Sequence, residues 1–488
     1  MEDGLPDNPL TRTAPAPSPG IVHLGLGAFF RAHGAIYTQQ AMAKAGGDWG
    51  IIGVSLKSPT TRDALQPQGA VYHALELAPD GAELLLVTSL SAVLVAPEDP
   101  SAVLAAMADP SVKIVSLTVT EKGYCHHPAS GALDRDHPDI IHDLTHDSPQ
   151  SSIGYLTRAL ALRKAAGIPP FTVLCCDNLP HNGKLLRGLV LEFAQILDPD
   201  LAQWIADHGA FPSTMVDRIV PATTDKTRAD VARLTDFADA APVVHEPYRQ
   251  WVMEDDFVGG VRPAWDQVGA ELVQDVAPYE DMKLRMLNAS HSALSYLGYV
   301  AGHHTITDVM ADPVFDAYAQ RLWAREIIPH LTPPEGVSLE DYAAALRARF
   351  KNPAIQHRTW QIAMDGSQKL PQRLLGTLRA ARKKGAEDRG LVLAVAGWMR
   401  YTAGCDEAGE AMELRDPMAD VLRAAHSGVD EAEAVTRILG LEAIFDPSLA
   451  ADIHAPVTDA YLEIYPLFSI ERKVPAERGA VREVYELV

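Results

Sequence analysis

The chain has 488 residues, 47% hydrophobic and 22% charged, a globular balance in a length that exceeds one ordinary core. A formal net charge of −22 sets the surface against nucleic acid and anionic membranes, so neither is an expected partner. Four cysteines with no C-x-x-C pair make neither a disulfide framework nor a thiolate zinc site, so no metal is expected.

Residues 1–19 read as a polar, proline-rich arm with no apolar signal core. No run approaches the ~18 apolar residues of a membrane span, and a cytoplasmic protein is the expectation. The first strand is predicted at 21–24, followed by Gly25 and Gly27, a helix over 30–44 and a second strand at 49–56, which together form a βαβ unit. Further strands are predicted at 71–77, 83–87, 113–120 and 171–176, with helices at 101–108, 153–166 and 184–197. Cys175 and Cys176 fall in the last of these strands and read as buried, reduced thiols. Such alternation predicts a mostly parallel sheet covered by helices. From about residue 279 helical patterns dominate: 280–300, 314–328, 339–350, 368–383, 391–401 and 417–425. The fold class is therefore α/β: a Rossmann-like domain over 1–278 and a mainly α-helical substrate and catalytic domain over 279–488. A bound small molecule is expected in the cleft where they meet, held close and dry.

The segment HLGLGAFFRAH sets Gly25 and Gly27 between a strand and a helix. The first glycine permits a tight turn, and the second lets a pyrophosphate approach the backbone at a helix N-terminus. Ala28 and Phe29 complete the turn, Phe30 stands where a third glycine is usual, and Arg31 is a candidate cation beside the phosphates. The second strand ends in Val54-Ser55-Leu56-Lys57-Ser58 without the acid that binds ribose hydroxyls, so NAD is expected and NADP stays open, with Lys57 a candidate for a 2′-phosphate.

The segment YEDMKLRMLNASHSALSYLGY carries Lys283, Asn288 and His291. On an α-helix, steps of five and eight residues turn by about 140° and 80°, so all three point into one broad face shared with Leu284, Leu287 and Leu294. Polar groups in such a face are costly unless used or paired. Alcohol oxidation needs a base for the hydroxyl proton, and a desolvated lysine can serve. An amide donor can stabilise the alkoxide, and a histidine can orient hydroxyls.

At these residues the chain resembles the polyol-specific long-chain dehydrogenase/reductase family, whose K-x4-N-x2-H pattern Lys283, Asn288 and His291 match. The resemblance extends over nearly the whole chain, through GLGAFFRAHGA, SLTVTEKGYC, CCDNLPHNG, STMVDRIVPAT, EPYRQWVMEDDF and HRTWQIAMDGSQKLPQR. It implies that Lys283 is the general acid/base, that Asn178 and Asn288 hold the substrate oxygen, and that His291 positions the substrate. Glu280 lies three residues before Lys283 and is a candidate proton relay, with an ordinary first-turn acid as the alternative. Glu121 and Asp217, with Arg218, follow apolar stretches and are candidate cofactor or substrate contacts, structural pairing being the alternative.

The blocks TVTEKGYC, EPYRQWVMED and HRTWQIAMDGSQKLPQR point within the family to the fructuronate–mannonate couple. The mannitol–fructose couple, tagaturonate and arabinitol are the alternatives. A substrate carboxylate calls for a fixed cation, for which Arg358, Lys369 and Arg373 are candidates. Because proline is tolerated only in a first turn, the helix carrying Lys369 and Arg373 is expected to begin close to Pro371. A monomer or small homo-oligomer is the expected assembly.

Overall fold

Strand β1 (Pro19–Leu24) is buried from Gly20 onward because it lies at the centre of a sheet covered on both faces. The remaining strands are β2 (Gly50–Ser55), β3 (Tyr72–Ala78), β4 (Gly81–Val87), β5 (Leu90–Val95), β6 (Ile114–Leu117), β7 (Thr172–Cys175), β8 (Thr214–Asp217), β9 (Val243–His245), β10 (Gln250–Glu254) and β11 (Glu271–Val273). The computed structural model describes residues 8–127, 130–406 and 411–464. These fall into two compact units, Met1–Ala277 and Pro278–Val488.

In the first unit, five strands run parallel in the order β5-β2-β1-β6-β7. The period-2 alternation of a strand divides their side chains between two cores. Val22, Leu24, Val115, Leu117, Val173 and Cys175 enter one, while Ile21, Ile51, Ile114, Leu174 and Cys176 enter the other. The four cysteines are free and, of the pair expected in a strand, Cys175 is the last residue of β7 while Cys176 lies just past it, both buried. The strand order reverses at β1, since β2 and β5 lie to one side and β6 and β7 to the other. The carboxyl ends of β1 and β6 therefore flank a topological switch point, where such sheets bind ligands. Two further three-stranded sheets, β11-β10-β8 and β4-β3-β9, accompany the main one, so β3 and β4 lie outside it.

The helix predicted over 30–44 is two helices, Ala28–Ala32 and Gly34–Ala45, broken at His33. The cause is local. The Phe30 ring lies flat on His23, with centroids 3.3 Å apart, and a Cβ on Gly34 would come within 2.5 Å of it. His33 then turns its Nε2 to the Gln250 carbonyl at 2.9 Å.

Among its described residues the second unit is helical throughout. Its central stretch runs without interruption from Ala277–Met282 through a π-helical turn, Lys283–Asn288, into Ala289–Val300. A π turn frees carbonyls from their α-helical donors. The Met286 carbonyl accepts instead from Trp323 Nε1 at 3.0 Å and from Ser290 Oγ at 2.5 Å. The helix expected to begin near Pro371 begins five residues earlier, with Gly366–Leu370, and continues to Lys384. Pro371 opens a further π turn, Pro371–Leu375, after those at Lys283–Asn288 and Leu322–Ile327, and this change of pitch accommodates a residue with no N–H to donate.

Candidate functional site

Gly25 follows β1 with φ +90°, and a Cβ there would sit 2.1 Å from the Thr118 carbonyl oxygen. The turn is pinned by Gly25 N–H to Val54 O (2.9 Å) and by Thr118 Oγ1 to Gly25 O (2.9 Å). Gly27 is exposed, and an added Cβ would meet only Gly25 O, at 3.8 Å. One glycine is thus required by the fold, while the other keeps space open above the turn, as a pyrophosphate lying on the backbone needs. Ala28 and Phe29 follow, each half-buried. A Gly25→Ala variant is expected to lose both stability and NADH binding, since the φ alone costs ~1 kcal/mol or more and the carbonyl must move as well. Gly27→Ala is expected to fold normally yet bind NADH at least ~10-fold more weakly, read by protein-to-dihydronicotinamide energy transfer. Unchanged NADH affinity in Gly27→Ala would remove the turn from the cofactor site.

Arg31 does not reach the turn. Its guanidinium is buried, donates from Nη1 to the Ala241 carbonyl at 2.6 Å and lies over the Tyr72 ring, whose hydroxyl donates to the Arg31 carbonyl. Burial outweighs the attraction of Tyr72 and Asp239 and lowers its pKa. Its role is to hold the first helix to the rest of the unit, not to meet a phosphate. Arg218 is likewise committed, to the Glu246 and Ala32 carbonyls and to Glu76. Asp217, at the end of β8, is buried and within reach of the His33 ring electrostatically. Glu121 is exposed on the short turn Glu121–Tyr124 that follows β6.

Asn178 is exposed just beyond β7. The residue before it organises this edge. Asp177 accepts from the Val119 and Thr120 N–H groups at 2.7 and 3.2 Å and from the Tyr124 hydroxyl at 2.6 Å, clamping the loop after β6 to the end of β7. Burial pushes the Asp177 carboxyl up against these hydrogen bonds, which favour the anion. The sequence reading passed over Asp177 and Tyr124, although adjacency to Asn178 marked the first.

In the second unit, Lys283, Asn288 and His291 are each more than nine-tenths buried. The π turn changes their relation. Its i→i+5 pitch sets Lys283 and Asn288 one above the other, where α geometry would splay them, and His291 follows one α turn later. Asn288 Nδ2 and His291 Nε2 are buried with no hydrogen-bond partner among the described residues. Buried polar atoms are almost always satisfied, so two on one helix face mark a place for an external polar group. The His291 ring stacks on Phe350 at 5.0 Å and meets His357 edge-on at 4.8 Å. Burial, then His357, Arg373, Arg349 and Lys369, hold His291 well below its ordinary pKa, so it is neutral. Glu280 lies half-buried one turn before Lys283.

Lys369 and Arg373 are half-buried and near enough to His291 to oppose its protonation. Lys369 Nζ donates to the Ile362 carbonyl (3.2 Å) and Arg373 Nη1 to Ser292 Oγ (3.0 Å). Arg358 is exposed, immediately before the helix Thr359–Ala363. His357, unmentioned in the sequence reading, belongs to this group, and its place beside Arg358 in the HRTW block was the available signal. Elsewhere, Cys125, His137 and Asp139 bring potential ligand atoms within 4.8 Å of one another. There His137 Nδ1 caps the helix Pro138–Thr145 by accepting from Asp139 N–H, and burial lifts the Cys125 thiol to about 12.

Two family models match the chain: the mannitol dehydrogenase Rossmann domain over residues 19–267 and the mannitol dehydrogenase C-terminal domain over residues 275–465. The chain is 47% identical over 451 residues to D-mannonate oxidoreductase of Escherichia coli (strain K12), covering 91% of this chain and 93% of that protein. It is 40% identical over 440 residues to mannitol 2-dehydrogenase of Phaeosphaeria nodorum, covering 89% and 76%. Among solved structures, Pseudomonas fluorescens mannitol 2-dehydrogenase in ternary complex with NAD and D-mannitol matches with a TM-score of 0.87 and 37% identity, covering 99% of this chain and 97% of that one.

Proposed function

The chain belongs to the mannitol dehydrogenase family and is a nicotinamide-dependent secondary alcohol dehydrogenase, and from that premise we propose that it interconverts D-fructuronate and D-mannonate with NAD(H). The observation that carries the chemistry is the buried Lys283 on one helix with the unpartnered Asn288 amide and His291 imidazole. The 47%-identical mannonate oxidoreductase and the cationic surroundings of His291 support a sugar acid as the substrate.

The turn at Gly25 and Gly27 would hold the pyrophosphate of NADH, which when bound supplies the hydride. Every other task falls to the protein. Lys283 donates a proton from Nζ to the oxygen that was the ketone carbonyl, giving the secondary alcohol, and accepts it back in oxidation. Asn288 Nδ2 donates a hydrogen bond to that oxygen as charge develops, a role in which Asn178 is the second amide. Neutral His291 offers Nε2 to a neighbouring hydroxyl, and Glu280 passes the replacement proton to Lys283. Lys369, Arg373 and Arg358 are the cations for the carboxylate. Because the lysine supplies the acid, the reaction as proposed has no metal step. A cytoplasmic location and a monomer or small homo-oligomer remain part of this reading, and no described helix is long and apolar enough to cross a membrane.

The similarity to the mannitol complex favours a second reading, the fructose–mannitol couple. Following NADH absorbance with each ketone separates the two. Fructuronate is expected to be reduced with a kcat/KM at least ~100-fold above that for fructose, the worth of a buried charge pair. The reverse preference would transfer the assignment to mannitol and leave Lys283 in place.

A further inference from the structure

We propose that the nucleotide site of this chain accepts a 2′-phosphate on the adenosine ribose, with Lys57 as the residue that recognises it, so that NADPH is bound as well as NADH. The inference rests on the dinucleotide reading of the turn at Gly25 and Gly27 and adds a second ligand class to it.

In a parallel sheet of this kind the ribose hydroxyls lie beyond the carboxyl end of the second strand, where a carboxylate accepts from both of them and repels a 2′-phosphate. Here β2 ends at Ser55, and the next residues are Leu56, Lys57 and Ser58. The first carboxylate along the chain, Asp63, is taken by Arg62 Nε at 2.6 Å. The other nearby acid, Glu98, is taken by Arg62 Nη1 and Nη2 at 2.6 and 3.1 Å. Both acids are thus already paired with Arg62, which is itself neutralised.

Lys57 differs from its neighbours. It is exposed and makes no ion pair among the described residues. Its charge reaches Cys125, on the segment that follows β6, and favours the thiolate there. Lys57 stands two residues past the carboxyl end of β2, and β2 pairs with β1 beside the switch point at which such sheets bind ligands. Ser58 Oγ, hydrogen-bonded to Thr60 N–H at 3.2 Å and to Thr60 Oγ1 at 2.6 Å, adds a hydroxyl at the same place. In a chain of net charge −22, Lys57 puts a cation where a carboxylate would exclude phosphate. A compact lysine ammonium is suited to a phosphate dianion as a point charge.

The test is equilibrium binding, independent of turnover. NADH and NADPH are titrated by energy transfer from protein tryptophan, and 5′-AMP and 2′,5′-ADP by competition. The wild type, Lys57→Ala and Lys57→Asp are compared. The expected result is an NADPH Kd within ~10-fold of that for NADH, and 2′,5′-ADP bound more tightly than 5′-AMP, with the difference shrinking as salt rises. Lys57→Asp is expected to weaken NADPH and 2′,5′-ADP by ~10-fold or more while leaving NADH within ~3-fold, with Lys57→Ala between. NADH binding with NADPH more than ~100-fold weaker in the wild type would overturn this inference and leave the dinucleotide site standing. An unchanged NADPH-to-NADH ratio in Lys57→Asp would remove Lys57 from the role. Failure of both dinucleotides to bind would overturn the site and the inference together.

Discussion

A Lys283→Ala variant is expected to retain its fold and its NADH affinity while losing ~10²- to 10⁴-fold in kcat/KM for fructuronate, the range that positioned general acid–base groups supply. Three features make the effect large. Lys283 is only 8% exposed, so little bulk water reaches its position to replace the missing proton donor. The π turn brings Lys283 and Asn288 toward one face, so in the proposed reaction donor and amide address one oxygen, and alanine leaves the amide without the proton. Finally, the turn at Gly25 and Gly27 belongs to the other unit, so the variant leaves the nucleotide residues untouched. Lys283→Arg is expected to be nearly as poor, because a guanidinium keeps its proton near neutral pH. Small primary amines should restore part of the alanine variant's rate and none of the arginine variant's. Wild-type kcat/KM in Lys283→Ala would end the lysine mechanism. A loss matched by unfolding would show a structural lysine only, and amine rescue separates these outcomes.

The candidate site was legible in the sequence where geometry is local. A glycine after an apolar strand announces a turn, and Gly25 takes the positive φ that turn needs. Lys283, Asn288 and His291 lie on one helix, so their grouping follows from spacing. What the α-period could not supply was the π turn, which depends on Trp323 arriving from 37 residues away to take up the Met286 carbonyl. Arg31 failed for a related reason. A cation next to a phosphate turn looks available until Ala241 and Tyr72, distant in sequence, enclose it. Among the strands, β5 and β8–β11 escaped notice because most are short and mix polar with apolar residues, as in Thr214–Asp217 and Gln250–Glu254. The helices Glu431–Leu439 and Pro447–Ile464 escaped too. Lys57 shows the opposite case. The absence of an acid after β2 was plain from the chain, and the structure added that Asp63 and Glu98 are both occupied by Arg62.

Acidification should destabilise both units well before the carboxylates titrate, because each buries neutral histidines. In the first unit, burial brings His23, His33 and His245 down to about 3. In the second, His357 and His426 fall to about 4, and His291 lies well below its ordinary value. The sign follows from linkage. Below pH ~6.5 the unfolded chain takes up a proton at each of these positions and the folded chain does not. The stability is therefore whole above pH ~6.5 and is lost as pH falls toward the folded values of 3 to 4. Between pH 7 and 5 each such histidine removes on the order of 2 kcal/mol, so several together rival the whole stability of a domain. Asp177 and Glu326 act in the opposite sense, since burial raises both, but only as carboxylates begin to protonate. Urea midpoints measured at pH 7.5, 6 and 5 should fall steadily. His23 has the clearest individual signature, because it is fully buried between Ser116 Oγ at 2.8 Å and Thr118 Oγ1 at 2.9 Å. His23→Asn should lower stability at pH 7.5 and flatten the slope between pH 6 and 5 by close to one proton. Midpoints that stay level from pH 7.5 to 5 would mean that these rings are protonated in the folded chain, and a charged His291 would then replace the neutral one in the proposed site.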